Sequence, residues 1–226
     1  MAKKIVKGKR EEEKIDEVEK KISRKHQAEA ENRILRNIFI GIIVVVVAIV
    51  AIVFFLKSIR SFQYEGVDFQ VVKFCDAGPC LVTYNTKIPI IYEGKDAEYN
   101  FYLRNDPRKL AKDVPFLGNV SLAQNIVINS TSDFNCEGDV GIAMGNLGNL
   151  FSISGINAIR DENITGCDPQ GRYGFISLQE ANQTSVEQVG PACYNININN
   201  CEIIKATERF MVEDFVKINR ILNEQK

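Results

Sequence analysis

The chain has 226 residues, with 28 Lys and Arg against 29 Asp and Glu and a single histidine, for a formal net charge of -1. A composition that is 45% hydrophobic and 25% charged belongs to a folded protein rather than a disordered or fibrous one. The near-neutral balance hides a mildly acidic part after residue 56, which argues against a general phosphate-backbone binder there, since such binding needs clustered Lys and Arg, so no nucleic-acid partner is expected.

Charge is distributed unevenly. Residues 1–37 carry twelve basic and eight acidic side chains, residues 38–56 carry none, and residues 57–226 carry sixteen basic and twenty-one acidic ones. In the first segment, Asp16 with Lys20 and Glu17 with Lys21 are helix-supporting pairs at i,i+4. Ile15, Val18 and Ile22 begin a heptad pattern that fails at Lys25 and Glu29. The reading is a solvated, charged helix leading into the next segment.

Residues 38–56 form an uncharged run of nineteen, rich in Val and Ile. A helix of that length spans the hydrocarbon core of a bilayer, about 30 Å. The run begins too late and is too long for the apolar region of a cleavable leader, so an uncleaved signal anchor is expected, with the lipid bilayer as its partner. The first twenty residues after it hold only three Lys or Arg. The basic-residue bias therefore places the N-terminus in the cytoplasm and the C-terminal part outside the plasma membrane.

After a juxtamembrane linker at 57–66, strands are expected at Val67 to Phe74, Leu81 to Tyr84, Ile88 to Tyr92, Glu98 to Arg104 and Gln124 to Ser130. A helix from about Asp139 to Phe151 spaces Val140, Met144, Leu147 and Phe151 on one side, and Gly141, Gly145 and Gly148 are expected to let it approach a neighbour closely. Tyr173 to Gln179, Thr184 to Val189 and Tyr194 to Ile198 read as a meander whose first and third strands run parallel. The C-terminal helix carries Ile204, Met211, Phe215, Ile218 and Leu222 on one face, with Glu208, Glu213, Lys217 and Arg220 largely away from it. The fold class is α/β or α+β: one transmembrane helix, then a single mixed-sheet outer domain over 67–226 with at least two packed helices.

All six cysteines, Cys75, Cys80, Cys136, Cys167, Cys193 and Cys201, follow the apolar run. An even number confined to an outward domain implies disulfides. Cys75 and Cys80 flank a Gly-Pro turn and should pair. Cys193 and Cys201 stand at opposite ends of an extended stretch of roughly 26 Å, too far to pair. Cys167 and Cys193 precede strands of the same direction and can meet, which leaves Cys136 with Cys201. Pairing of 136 with 167 and 193 with 201 stays open if the Asn-rich strand is misread.

Catalytic chemistry is thinly represented. His26 lies before the anchor, so the outer domain has neither a histidine-activated nucleophile nor a histidine metal ligand. No CxxC, GxxxxGK[ST] or GxGxxG occurs, and no cofactor or metal is expected. The loop Thr131 to Glu137 lies where open α/β sheets place ligands, although Asp133 and Glu137 would repel a phosphate there. Arg104, Asp106, Arg108 and Lys109 form a compact charged cluster that could clamp a carboxylate or phosphate, or form a solvated turn with Asp-Pro starting a short helix. Four N-x-[ST] sequons, at Asn119, Asn129, Asn163 and Asn182, are glycosylation candidates.

The stretch Phe101-Tyr102-Leu103-Arg104-Asn105-Asp106-Pro107-Arg108, with Cys193-Tyr194, Asn200-Cys201 and Glu208-Arg209-Phe210, resembles uncharacterised single-pass membrane proteins of small-genome (DPANN-type) archaea. That resemblance implies an archaeal cell-surface setting and supplies no activity. The first functional expectation is a membrane-anchored interaction or envelope-assembly protein with a protein partner at the cell surface. The alternatives are a solute-binding or sensor domain coupled to the cytoplasmic helix, and an extracellular thiol-disulfide oxidoreductase using Cys75 and Cys80.

Overall fold

A computed structural model describes residues 36–55, 60–75, 78–121, 123–159 and 164–224. The expected charged helix before residue 36 lies outside the described residues. The chain divides into two compact units, Met1–Ser58 and Ile59–Lys226.

In the first unit, helix α1 runs over Arg36–Phe55, 20 residues, and is long and apolar enough to cross a membrane. Its side chains from Ile38 to Phe55 are exposed, as a helix without polar faces requires if its solvent is to be lipid.

The second unit opens with an antiparallel sheet of four strands in sequential order: β1 (Ser61–Tyr64), β2 (Val67–Phe74), β3 (Leu81–Tyr92) and β4 (Lys95–Leu103). The stretch expected to be a linker at 57–66 thus supplies β1, whose Phe62 lies opposite Phe69 with the rings stacked 5.5 Å apart. Two-residue turns join β1 to β2 and β3 to β4. Both central residues of each have positive φ, Glu65 (46°) with Gly66 (87°) and Glu93 (50°) with Gly94 (74°), the twist that tight hairpins favour. The strands expected at 81–84 and 88–92 are one strand. The polar residues between them do not break it, because Asn85 is buried and its Nδ2 donates to the Phe101 carbonyl at 3.1 Å.

Asp106 then caps helix α2 (Pro107–Asp113), and Pro107 occupies the first turn, where its missing N–H costs nothing. The remaining strands are β5 (Phe116–Leu117), β6 (Asn125–Ser130), β7 (Asn157–Ala158), β8 (Gly174–Glu180), β9 (Ser185–Gly190) and β10 (Cys193–Ile198). They form a separate six-stranded mixed sheet in the order β5-β9-β10-β8-β6-β7. The domain therefore has two sheets where a single mixed sheet was expected. Strand β10 does run parallel to β8, but as its direct neighbour, with Cys193 opposite Phe175. The three strands are not a meander, since β10 inserts between β8 and β9. The buried run Gly174 to Leu178 makes β8 an interior strand covered on both faces.

Helices α3 (Asp139–Ile153) and α4 (Ile203–Glu224) complete the unit. Helix α4 joins the two sheets into one core: Phe215 meets Phe101 of β4 at 5.0 Å, and Phe210 meets Tyr194 of β10 at 5.1 Å and Phe151 of α3 at 6.5 Å. Enclosure from several sides explains why α4 is buried nearly all round from Ile203 to Val216 rather than along one stripe. Glu208, expected on the solvent side, is 1% exposed. The glycine expectation for α3 is also corrected: a Cβ added at Gly141, Gly145 or Gly148 would meet nothing within 4 Å, so these residues do not mediate a close helix approach.

Three disulfides form, Cys75–Cys80, Cys136–Cys201 and Cys167–Cys193, with Cα separations of 4.3, 5.5 and 5.6 Å. The second joins the start of α3 to the start of α4. The third ties the loop before β8 to the first residue of β10.

Candidate functional site

The parallel strands β6, β8 and β10 all end on one edge of the six-stranded sheet. Beyond that edge lies an open depression of about 500 Å³, lined by Phe134, Asn135, Glu180, Asn182, Ile198, Asn199 and Asn200 beside the Cys136–Cys201 bridge. This is where parallel sheets place ligands, because the loops there are free of the sheet's own hydrogen bonding. The loop Thr131 to Glu137 forms one wall, as its position in sequence suggested.

The walls are fixed by backbone bonds. Thr131 N–H donates to the Leu178 carbonyl at 3.0 Å, and Ala181 N–H donates to the Ile198 carbonyl at 2.9 Å. Thr184, itself buried, donates through Oγ1 to Glu202 at 2.6 Å and accepts from Asn199 N–H at 3.2 Å. Around the bridge the backbone takes up left-handed conformations at Glu137 (φ 46°), Gly138 (φ 90°), Asn200 (φ 47°) and Cys201 (φ 57°). Outside glycine and asparagine such geometry costs of order 1 kcal/mol or more.

Among the described residues, the side-chain amides of Asn135, Asn182, Asn199 and Asn200 have no protein hydrogen-bond partner, so each offers two donors and an acceptor to whatever enters. Among the described residues the one charged lining residue is Glu180. The site therefore favours neutral polar or cationic groups over anions. Among the described residues no group of three or more His, Cys, Asp or Glu could hold a metal ion.

The charged cluster singled out in the sequence does not converge on a ligand. Arg108 grips Asp106 through Nε at 3.0 Å and Nη2 at 2.7 Å and lays its guanidinium over Phe62, 3.8 Å from the ring centroid. Burial raises the Asp106 carboxyl, but the bonds from Arg108 outweigh it and hold the group below its ordinary value. Arg104 reaches Asp139 across 3.4 Å at the surface, and Lys109 is exposed. The arrangement is a capped turn. Of the sequons, Asn119 and Asn182 are exposed, Asn129 is half-buried within β6, and Asn163 lies outside the described residues.

Two buried acids on α4 escaped the sequence reading. Glu208 accepts from the Arg104 N–H at 2.6 Å, the Asn105 N–H at 2.9 Å and the Asn105 Nδ2 at 2.8 Å, clamping the β4–α2 corner to α4. Burial still pushes its carboxyl up to about 7. Asp214 is fully buried with no partner among the described residues for either oxygen, and burial raises it well above its ordinary value. Tyr194, raised by burial to about 12, donates to the Asn119 carbonyl at 3.0 Å and so latches the 119–121 loop to β10.

Comparison with protein-family models, curated proteins and solved structures finds no match to this chain.

Proposed function

We propose that the chain is a single-pass, membrane-anchored surface protein whose disulfide-stapled domain faces outward and docks another surface component through the depression at the ends of β6, β8 and β10. The observation that carries this reading is the set of four unpartnered amides around a depression held open by a disulfide and by left-handed backbone. Preorganised polar groups on a rigid rim cost little to order on binding. With Glu180 as the only charged lining residue among those described, the matching partner surface is polar and neutral or basic. Support for the anchored setting comes from α1, long and apolar enough to span, and from six cysteines all paired in the other unit.

A photo-crosslinking side chain at Asn135, in the full-length protein in its native membranes, tests the reading. It should give one discrete adduct that is absent when the probe stands at Lys95, on the edge of the other sheet. Adducts equal in pattern at both positions, or none at Asn135, would refute it. The same amides also suit a small neutral solute such as a polyol. In that case added polyols should raise the melting temperature and suppress the Asn135 adduct.

A further inference from the structure

The four-stranded sheet carries an exposed apolar cluster at one end. Phe74, the last residue of β2, and Leu81, the first of β3, are cross-strand neighbours on one face, 46% and 47% exposed. Tyr102 of β4, 45% exposed, packs edge-on against Phe74 with ring centroids 5.7 Å apart. Lys73, on the opposite face of β2, is exposed at the same end, and the Cys75–Cys80 bridge closes the hairpin.

Register shows which end of the sheet this is. Ser61, where the chain enters β1, lies opposite Gln70. Strand β2 runs on for four more residues to Phe74, so the hairpin end projects beyond the entry point of the chain by roughly 13 Å at 3.3 Å per residue. In sequence, Ser61 follows Phe55 by six residues, which even fully extended cover no more than roughly 20 Å. A tether of that length is short enough to let this end of the sheet reach the headgroups of a bilayer that α1 crosses. Aromatic rings and aliphatic side chains flanked by lysine are the groups that partition into that interface, ring inward and ammonium outward.

We propose that Phe74, Leu81 and Tyr102 insert into the interfacial layer of the membrane that holds the anchor, making the β2–β3 hairpin end a second attachment point. This rests on the anchored reading above. A second contact would restrict the swing of the domain on its short tether. It would also leave the depression on the other sheet to be presented in a defined direction rather than sampled at random.

The chain contains no tryptophan, so Phe74→Trp creates a lone tryptophan at the cluster, excited selectively over the tyrosines. The full-length variant is reconstituted into phosphatidylcholine vesicles and floated on a density gradient, then compared in vesicles of ordinary and dibrominated phosphatidylcholine. The expected result is flotation, a blue-shifted emission maximum and loss of most of the emission in the brominated vesicles. Leu81→Trp should behave alike. Ile91→Trp, 78% exposed at the opposite end of β3, should emit as in water and be unaffected by bromine. Protein that floats while Phe74→Trp and Leu81→Trp both stay unquenched overturns this proposal alone. So does quenching at Ile91→Trp in their place. Protein that does not float overturns the anchored reading and this proposal with it.

Discussion

Glu208 should make the Ile59–Lys226 unit less stable as pH rises through a range where most proteins gain stability. Its carboxyl has an ordinary value of 4.5 and stands at about 7 in the folded chain. Below about 4.5 both folded and unfolded states hold the proton, and the full stability is present. Between 4.5 and 7 the unfolded state releases the proton while the folded state keeps it, so stability falls with pH and then levels off above 7. At about 1.4 kcal/mol per pH unit across that interval, the loss is about 3 kcal/mol. For a domain of this size each kcal/mol moves the midpoint by about 2–4 °C, a fall of roughly 6–12 °C. Asp214, also raised by burial, contributes with the same sign. The comparison with Glu208→Gln therefore isolates the Glu208 share, because the variant keeps every other titrating group. Thermal melts of the full chain at pH 4.5, 6, 7 and 8 are the assay. Parallel profiles for wild type and Glu208→Gln would refute the argument, since the three donors around the carboxylate would then offset its burial in full.

Other expectations follow from the same packing. Asp214→Leu, which keeps the branching but swaps a buried unpartnered carboxyl for a larger apolar group, should stabilise in denaturant titrations by about 1–3 kcal/mol less any cost of the added volume, and a loss of stability in the smaller Asp214→Asn as well would show that the carboxyl has an unrecognised partner. Breaking the bridges singly by Cys→Ser pairs should cost most for Cys136–Cys201 (65 residues apart), less for Cys167–Cys193 (26) and least for Cys75–Cys80 (5). On the chain-entropy model these losses are about 4, 3.5 and 2 kcal/mol, and a reversed order in urea midpoints would contradict the assigned pairing. Arg108→Ala should cost about 1–2 kcal/mol, because it removes a fork on buried Asp106 and a cation over Phe62. Arg104→Ala, which loses an exposed pair and a weak favourable charge on Glu208, should cost less than Arg108→Ala, under about 0.5 kcal/mol, and equal costs would restore the cluster as a single functional unit.

Much of the fold was legible because burial and periodicity coincide. The alternation in Tyr194, Ile196 and Ile198 located β10, and the impossibility of bridging its ends pointed to the cysteine pairing that the structure adopts. Two hairpins were legible but missed: Glu65-Gly66 and Glu93-Gly94 each separate two strand-like runs by two residues. The split into two sheets was not legible, because strand order depends on which neighbour α4 covers, and that is a tertiary choice. Reading α4 as an amphipathic helix failed for Glu208 because enclosure on several sides leaves little solvent face over Ile203–Val216, and the donors that compensate the charge come from Arg104 and Asn105, over a hundred residues earlier. The site was half visible. The loop after β6 was placed correctly, but Asn199 and Asn200 looked like mere strand-end polarity, since only the fold brings them to Asn135 and Glu180.

The central claim is that residues 59–226 form an oxidised module displayed outside a membrane that α1 crosses. Intact cells carrying the full chain can be treated with a membrane-impermeant maleimide, and the protein then isolated under acid quench and weighed before and after reduction. The account predicts no maleimide adduct, and six alkylatable thiols only after reduction, matching three bridges among six cysteines. Two or more free thiols without reductant, labelled or shielded, would contradict it and return the domain to a reducing compartment.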